Sequence, residues 1–172
     1  IRFSVVRYGN VMGSNGSVIP YFLEKKKEGV IPITDSKMTR FNIKIEDGVK
    51  LVLFALSNSL GGELYVPKIP SYNIMDLAEA IAPECDKKII GVRPGEKIHE
   101  EMISSSDSFH TIDIGKYYVV VPTNDEFQVK KFLIKEFNGK KVKPNFNYNS
   151  NSNPDKETVE SLRKKINLFL EK

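Results

Sequence analysis

Apolar segments of two kinds alternate along this chain of 172 residues. Short runs rich in Val and Ile predict β-strands, and segments whose apolar residues recur every three or four positions predict α-helices. The strands are expected at 3–6, 30–33, 63–66, 88–92 and 117–121, and the helices at 18–28, 46–57, 73–82 and 158–170. The alternation predicts an α/β or α+β architecture in which polar loops at the strand ends carry the binding site.

The helix predicted at 46–57 carries an apolar stripe. Its members recur at helical spacing and are expected to face the core: Val49, Val52, Leu53 and Leu56. The later segment 127–142 is charged, and its pattern favours neither a helix nor a strand. The pattern therefore predicts a packing face for the first segment and leaves the second one open.

The turn after the first strand is rich in glycine. Gly9, Gly13 and Gly16 lie between the strand at 3–6 and the helix at 18–28. Free backbone N–H groups at a helix start, together with the helix dipole, bind anions such as phosphate. The spacing is close to that of a dinucleotide-binding loop, but Pro32 interrupts the strand that follows. Three interpretations stay open: a dinucleotide loop, a tight turn without a ligand, and an anion site for another ligand.

Composition narrows the class of protein. The formal net charge is +4, but the lysines that dominate the basic residues are scattered, which is typical of solvated faces. No apolar run reaches the roughly 20 residues of a membrane span, and we expect no charged-then-apolar leader before the first strand. We therefore expect a cytoplasmic protein with neither nucleic acid nor a membrane as its partner. One cysteine, Cys85, and two histidines make a metal site unexpected.

Two of the five arginines, Arg40 and Arg93, lie in polar, turn-like segments. A planar guanidinium fork matches a diphosphate better than a lysine ammonium does. Glu96 follows Arg93 in a Pro-Gly turn, where it either accepts a hydrogen bond from a ribose or sugar hydroxyl or forms a local ion pair with Arg93 or Lys97. His99 is expected to be a packed or capping residue rather than a base.

Two further patterns are ambiguous. Tyr21 and Lys25 form the Tyr-x-x-x-Lys pattern of short-chain dehydrogenases. We interpret this pattern as coincidental, because two fixed positions within five residues arise often by chance. In addition, Tyr21 lies in a helix that follows the strand-end turn instead of preceding that strand. Tyr148 and Ser150 lie in an asparagine-rich loop, which is either a ligand loop or a surface turn.

Four segments together carry a family resemblance: Arg7–Pro20, Pro32–Phe41, Gly62–Ser71 and Arg93–Glu100. In this order they resemble the inverting UDP-N-acetylglucosamine 4,6-dehydratases. These are extended short-chain dehydrogenase/reductases that begin the synthesis of pseudaminic acid and related surface sugars. The resemblance extends from Ile1 to about Pro122 and continues more weakly through the loop from Tyr148 to Asn153 and the final helix.

The resemblance implies that the chain is the C-terminal half of such an enzyme. In that family the cofactor loop and the catalytic Asp, Lys and Tyr-x-x-x-Lys residues precede the segment that begins here at Arg7, so we expect no catalytic residue in this chain. Residues 1–29 would form a late Rossmann strand, turn and helix. Residues 30–172 would form mainly a smaller α/β substrate-binding region, with helices returning to the Rossmann core.

The resemblance also implies roles for individual residues. NADP, held mainly by the family's N-terminal half, would contact Tyr8, Gly9 and Val11. The nucleotide sugar would contact a larger set: Asn10, Ser14, Gly16, Ser17, Val18, Thr34, Met38, Thr39, Arg40, Arg93, Glu96, Tyr148 and Ser150. Asn15 stands where the family usually has arginine, which leaves the diphosphate to Arg40 and Arg93.

The implied activity converts UDP-N-acetylglucosamine to a UDP-4-keto-6-deoxy-hexosamine with inversion at C5. The full-length protein would be a homo-oligomer, and this chain alone is expected to be inactive. Two alternatives stay open. One is a related UDP-sugar epimerase or retaining 4,6-dehydratase, and the other is a non-catalytic module that binds a nucleotide sugar.

Overall fold

The computed structural model of the protein describes residues 1–123 and 126–171. The helices are α1 (Val18–Lys26), α2 (Ile45–Asn58), α3 (Ile74–Ile81), α4 (Glu126–Phe137) and α5 (Val159–Leu170). The strands are β1 (Val5–Val6), β2 (Asn10–Val11), β3 (Val30–Ile33), β4 (Thr39–Ile43), β5 (Leu64–Pro67), β6 (Ser71–Asn73), β7 (Asp86–Ile89), β8 (Glu101–Ile103), β9 (Thr111–Asp113), β10 (Tyr117–Val120), β11 (Lys140–Lys141) and β12 (Tyr148–Asn149). Helices and strands alternate, and parallel pairs occur, so the predicted α/β class is confirmed. None of the described helices combines the length and the apolar character needed to cross a membrane.

Two predicted elements differ from those observed. The strand expected at 88–92 lies earlier, as β7, because its pairing with β3 sets its ends: Val30 pairs with Asp86 and Ile33 with Ile89. The charged segment 127–142 consists largely of α4. The side chains of Val129 and Leu133, one helical turn apart in α4, are buried in a hydrophobic core.

The chain forms two compact units, each built from three separate stretches. The first unit comprises Ile1–Tyr8, Lys44–Lys68 and Glu101–Asn149. The second unit comprises Gly9–Ile43, Ile69–Glu100 and Ser150–Lys172. The assignment of residues 1–29 to a Rossmann part and of residues 30–172 to a substrate-binding region stays a prediction.

The first unit contains a five-stranded sheet in the order β1-β5-β10-β9-β11. Helix α2 packs against β1 and β5, and its buried residues are Gly48, Leu51 and Ala55. The apolar stripe that was expected to face the core is instead exposed, with Leu56 at 78%. That prediction is wrong for this structure because α2 has apolar residues on two faces, and only one of them packs within the unit.

The second unit contains two small sheets. β3 pairs with β7 in parallel, and β4 lies between β2, which is parallel to it, and β6, which is antiparallel. Helices α1 and α3 pack against β3, and α5 packs against α3. The core of this unit includes Phe22, Ile31, Leu77 and Leu162. The sheets and helices thus place the turn before α1 and the first residues of β4 in the same unit.

Pro32 lies within β3, although proline disrupts central strands. The carbonyl groups of Gly29 and Ile33 accept hydrogen bonds from the Asp86 and Ile90 amides. The backbone N–H and C=O groups of the odd-numbered residues of β3 therefore point toward β7. The backbone nitrogen of Pro32 points to the opposite edge, where β3 has no partner strand among the described residues. A residue that lacks an N–H group is tolerated there.

Gly9 approaches β4 so closely that an added β-carbon would lie 2.4 Å from the Phe41 β-carbon. We expect Gly9→Ala to lower the free energy of unfolding by about 1–3 kcal/mol, because the backbone must shift to relieve the overlap. Gly48→Ala is the matched control: its β-carbon would meet no atom within 4 Å, and alanine favours a helix over glycine by about 1 kcal/mol. Chemical denaturation measures both variants, and equal effects would contradict the packing argument.

Candidate functional site

A cavity of about 770 Å³ lies within the second unit. Its wall comes from the turn before α1, from one side of α1, from the ends of β3 and β4, and from the loop that holds Arg93. Most of the predicted site residues line it: Asn10, Val11, Ser14, Gly16, Ser17, Val18, Thr34, Met38, Arg40, Arg93 and Glu96. The structure therefore brings together segments that are far apart in the sequence.

The start of α1 offers hydrogen-bond donors to the cavity. Gly13 and Gly16 have φ values of +70° and +73°, which favour glycine and allow the tight turn. Ser17 caps α1 without a side-chain capping bond, and its hydroxyl is buried with no partner among the described residues. The first-turn N–H groups of Val18 and Ile19 have no acceptor within the helix. This is the donor set that an anion requires, because backbone N–H groups, the helix dipole and a hydroxyl converge there.

Arg40 is held firmly in the cavity wall, with its side chain 13% exposed. Its Nη1 atom donates to the carbonyl oxygens of Thr39 at 2.8 Å and Ile98 at 3.1 Å. The carboxylates of Glu96 and Glu100 each lie 3.8 Å from a guanidinium nitrogen. The ion pair of Glu96 is thus with Arg40, not with Arg93 or Lys97 as one sequence interpretation had it.

Arg93 differs from Arg40 because no carboxylate in the described part of the chain forms an ion pair with its guanidinium. It lies in an exposed turn, in which the Glu96 amide donates to the Arg93 carbonyl at 3.0 Å. Its guanidinium makes no hydrogen bond or ion pair with any residue in the described part of the chain. A cation in this state at the edge of a cavity retains its full attraction for an anionic ligand.

Asn10 is held by a residue that the sequence interpretation missed. Tyr72 in β6 is 3% exposed and hydrogen-bonds with the Asn10 side chain. Burial raises the pKa of the Tyr72 hydroxyl to about 12, and the bond to Asn10 opposes the rise. Tyr72 therefore stays protonated at neutral pH. No sequence signal could have identified Tyr72, because it is the register of β4 and β6, seen only in the structure, that pairs Tyr72 with Arg40.

Helix α1 contributes wall residues that helical spacing would have identified. Tyr21 and Glu24 both line the cavity, four and seven positions after Ser17. The Lys25 ammonium pairs with Glu28 at 2.7 Å and lies 5.9 Å from the centre of the Tyr21 ring. The other missed wall residues are Asn15, Pro20, Phe22, Pro32, Ile74 and Ile90, which add mainly apolar surface.

The remaining predicted site residues do not line the cavity. Thr39 and Ser150 are buried in the second unit, and their hydroxyl oxygens lie 2.7 Å apart. Tyr148 belongs to the first unit, where its ring packs 5.3 Å from that of Tyr118. Tyr8 is 45% exposed in the first unit, and Gly9 begins the second. The ligand roles assigned to these residues stay predictions. No cluster of metal-binding side chains occurs within residues 1–123 and 126–171.

Glu100 is the partly buried carboxyl beside Arg40. Its Oε2 atom accepts a hydrogen bond from the Phe41 amide at 2.8 Å. Burial raises the pKa of the Glu100 carboxyl above its ordinary value, and the Phe41 amide and the Arg40 charge only partly oppose this. Burial is thus the dominant influence on Glu100, even though it is next to a cation.

Comparison with known proteins shows the family. Residues 1–122 match the model of the polysaccharide biosynthesis protein family, and the chain belongs to that family. Over 94% of its length it is 48% identical to an inverting UDP-N-acetylglucosamine 4,6-dehydratase of Campylobacter jejuni, of which it covers 51%. It is 38% identical, over 76% of its length, to a UDP-glucose 4-epimerase of Rickettsia canadensis, of which it covers 40%.

Among solved structures, Pen from Bacillus thuringiensis matches 98% of this chain with a TM-score of 0.82 at 30% identity. The chain covers 51% of that structure. The fold predicted from the resemblance, that of extended short-chain dehydrogenase/reductases, is thereby confirmed. The chain spans about half the length of the curated relatives it matches.

The raised pKa of Glu100 gives a pH dependence of stability with a definite sign. The folded state holds the proton more tightly than the unfolded state, so the stabilising effect of this group is complete at low pH and is lost as the pH rises through the folded-state pKa. We therefore expect the free energy of unfolding, relative to that of Glu100→Gln, to increase as the pH falls from about 7 to about 4. Denaturant titrations of both proteins across that range measure it. A decrease would mean that the Arg40 charge, and not burial, dominates.

Proposed function

We propose that this chain supplies the substrate-binding part of an NADP-dependent, inverting UDP-N-acetylglucosamine 4,6-dehydratase. One observation carries the proposal. The same cavity is lined by the start of α1 and by Arg93. The Ser17 hydroxyl at the helix start has no partner among the described residues, and no described carboxylate pairs with the Arg93 guanidinium. Unsatisfied N–H groups, a hydroxyl and a guanidinium fork are the groups that bind a diphosphate. The relative from Campylobacter jejuni supports a UDP-sugar as the molecule that carries it.

The cavity wall provides partners for each part of a nucleotide sugar. In this proposal Ser14, Gly16, Ser17 and Val18 meet the diphosphate together with Arg40 and Arg93. Asn10 meets the sugar, held by Tyr72. The remaining proposed contacts surround the nucleoside: Thr34 and Met38 at its base, and Glu96 at a ribose hydroxyl. The volume of about 770 Å³ falls within the usual range for small-molecule sites.

The contribution of the chain to catalysis is to bind and orient the substrate. The proposed overall reaction removes water from UDP-N-acetylglucosamine and gives a UDP-4-keto-6-deoxy-hexosamine with inversion at C5. A bound nicotinamide supplies reversible hydride acceptance. We propose Tyr8, Gly9 and Val11 as its contacts in this chain; Val11 is apolar and lines the cavity. We assign no acid or base to this chain, and the rest of the site belongs to a longer protein.

The same proposal includes the setting of the enzyme. We propose a homo-oligomeric, cytoplasmic enzyme in the synthesis of pseudaminic acid or a related surface sugar. The polysaccharide biosynthesis family to which the chain belongs supports that pathway class.

A UDP-sugar 4-epimerase is the second candidate, favoured by the 38% identity to the Rickettsia relative. Both enzymes require the same nucleotide-sugar cavity, and they differ in product. The protein made from the complete native gene, incubated with UDP-N-acetylglucosamine and NADP, should give a C6 methyl signal and an inverted C5 centre in the NMR spectrum. A C4 epimer that retains its C6 hydroxyl would identify an epimerase. A C6 methyl signal without inversion at C5 would identify a retaining dehydratase. Binding of the UDP-sugar without turnover would identify a non-catalytic module.

Arg93 allows a direct test of the binding assignment. We expect Arg93→Ala to weaken UDP binding by about tenfold or more, because a charge-assisted hydrogen bond contributes about 1.5–3 kcal/mol. Lys97→Ala is the matched control, since Lys97 is an exposed cation four positions away that does not line the cavity. Calorimetric titration of UDP into each protein at one salt concentration measures the difference. Equal losses in both variants would reveal a general charge effect and remove Arg93 from the site.

A further inference from the structure

Thr39 and Ser150 form a buried hydroxyl pair outside the cavity wall. Ser150 is 0% exposed, Thr39 is 4% exposed, and their hydroxyl oxygens lie 2.7 Å apart. Buried hydroxyl groups require partners, and these partners come from three separate stretches of the second unit. The pair therefore connects segments that sequence alone does not relate.

Ser150 is bonded to the segment that carries Glu100. Its amide donates to the Glu100 carbonyl at 2.8 Å, and its Oγ atom accepts from the Glu100 amide at 2.9 Å. The Ser150 hydroxyl also lies 3.2 Å from the Thr39 carbonyl oxygen, to which it can donate. One side chain thus joins the loop at 150, the end of the 91–100 segment and the start of β4.

Two of the four groups that hold Arg40 depend on this junction. The Thr39 carbonyl that faces the Ser150 hydroxyl also accepts from Arg40 Nη1 at 2.8 Å. The Glu100 carboxylate bonds to the Phe41 amide and lies 3.8 Å from Arg40 Nε. Displacement of the Ser150 hydroxyl would therefore alter one carbonyl and one carboxylate that orient the same guanidinium.

His99 completes the network, in which its Nδ1 atom can act as acceptor or as donor. Its Nδ1 atom lies 2.8 Å from the Thr39 hydroxyl oxygen. With neutral His99 accepting at Nδ1, the hydroxyl protons point from Ser150 to Thr39 and from Thr39 to His99. With Nδ1 protonated, His99 donates to Thr39, Thr39 donates to Ser150, and Ser150 donates to the Thr39 carbonyl. Both hydroxyl groups have an acceptor in each arrangement, since a hydroxyl can donate once and accept twice.

In place of the ligand contacts expected from the sequence for Ser150 and Thr39, we propose that both are positioning residues that set the geometry of Arg40 and do not contact the nucleotide sugar. They fix the 96–100 segment against β4 and so hold the Arg40 side chain in the cavity wall. The nature of the ligand rests on the proposed function, whereas the positioning role rests on the hydrogen bonds of the hydroxyl pair.

The kinetic test uses the full-length protein from the native gene. Ser150→Ala should raise KM for UDP-N-acetylglucosamine about tenfold and change kcat less than about twofold, because the loss affects substrate orientation in the wall. Thr39→Val should behave in the same way, and Thr39→Ser, which keeps the hydroxyl, should restore KM. Ser152→Ala is the matched control, since Ser152 is exposed on the same loop. A fall in melting temperature with unchanged KM would overturn the proposal in favour of a purely structural role.

A double-substitution cycle separates positioning from direct contact. In an Arg40→Ala background, Ser150→Ala should change KM less than about twofold, because a residue that acts through Arg40 has no effect once Arg40 is gone. If the two effects on KM multiply, Ser150 acts on the ligand independently of Arg40, and the proposal is wrong.

Hydrogen exchange in the unliganded protein gives a readout that does not depend on the ligand. Ser150→Ala should speed exchange of the Glu100 amide about tenfold or more relative to Ser152→Ala, since that amide loses its acceptor. Unchanged exchange would refute the positioning role. If the wild-type protein neither binds UDP nor consumes UDP-N-acetylglucosamine, the proposed function fails, and the exchange result still decides the role of Ser150.

Discussion

A guanidinium group that is mostly withdrawn from water must have acceptors around it, and Arg40 imposes this requirement on the second unit. Two backbone carbonyls accept from its Nη1 atom, and two carboxylates lie 3.8 Å from its other nitrogens. An unpaired buried charge costs several kcal/mol, so the acceptors must be in place whenever the unit is folded. Two further hydrogen bonds join the same two segments, β4 and residues 96–100. The Thr39 amide donates to the Ile98 carbonyl, and the Phe41 amide donates to the Glu100 carboxylate. Arg40 thus adds its hydrogen bonds and ion pairs to the other contacts that hold β4 against the 96–100 segment.

The two arginines of the cavity divide the electrostatic work. Arg40 lies between two carboxylates, so much of its charge is already balanced, and its contribution is a fixed donor geometry. Arg93 is exposed and uncompensated within the described part of the chain, and it contributes net positive charge at the cavity edge. The start of α1 adds N–H donors without an additional cation. A site of this kind favours an anion that needs several directed hydrogen bonds, because point charges alone would attract any anion equally.

Local patterns predicted what local forces determine. The spacing of apolar residues located α1, α3 and α5, and the glycines of the turn before α1 predicted a site at the start of that helix. The patterns were misleading where the outcome depends on distant partners. The stripe on α2 indicated a core face, but the sheet uses Leu51 and Ala55 on another face. The pattern of α4 was obscured by charges around Val129 and Leu133. The burial of Ser150 was invisible, because its partners Thr39 and Glu100 lie 111 and 50 positions away.

Long-range closure links the cavity to the stability of the unit that contains it. The wall is complete only when the stretches 10–24, 32–40 and 90–96 have met, and bringing such separate segments together has an entropic cost that local structure does not repay. The buried hydrogen bonds of Ser150 and the packing of α5 against α3 offset part of that cost. A ligand that binds the assembled wall binds the folded state alone and stabilises it by mass action. The contacts that orient Arg40 therefore influence ligand affinity and folding together. A substitution among them is informative about binding only when its effect on stability is measured alongside.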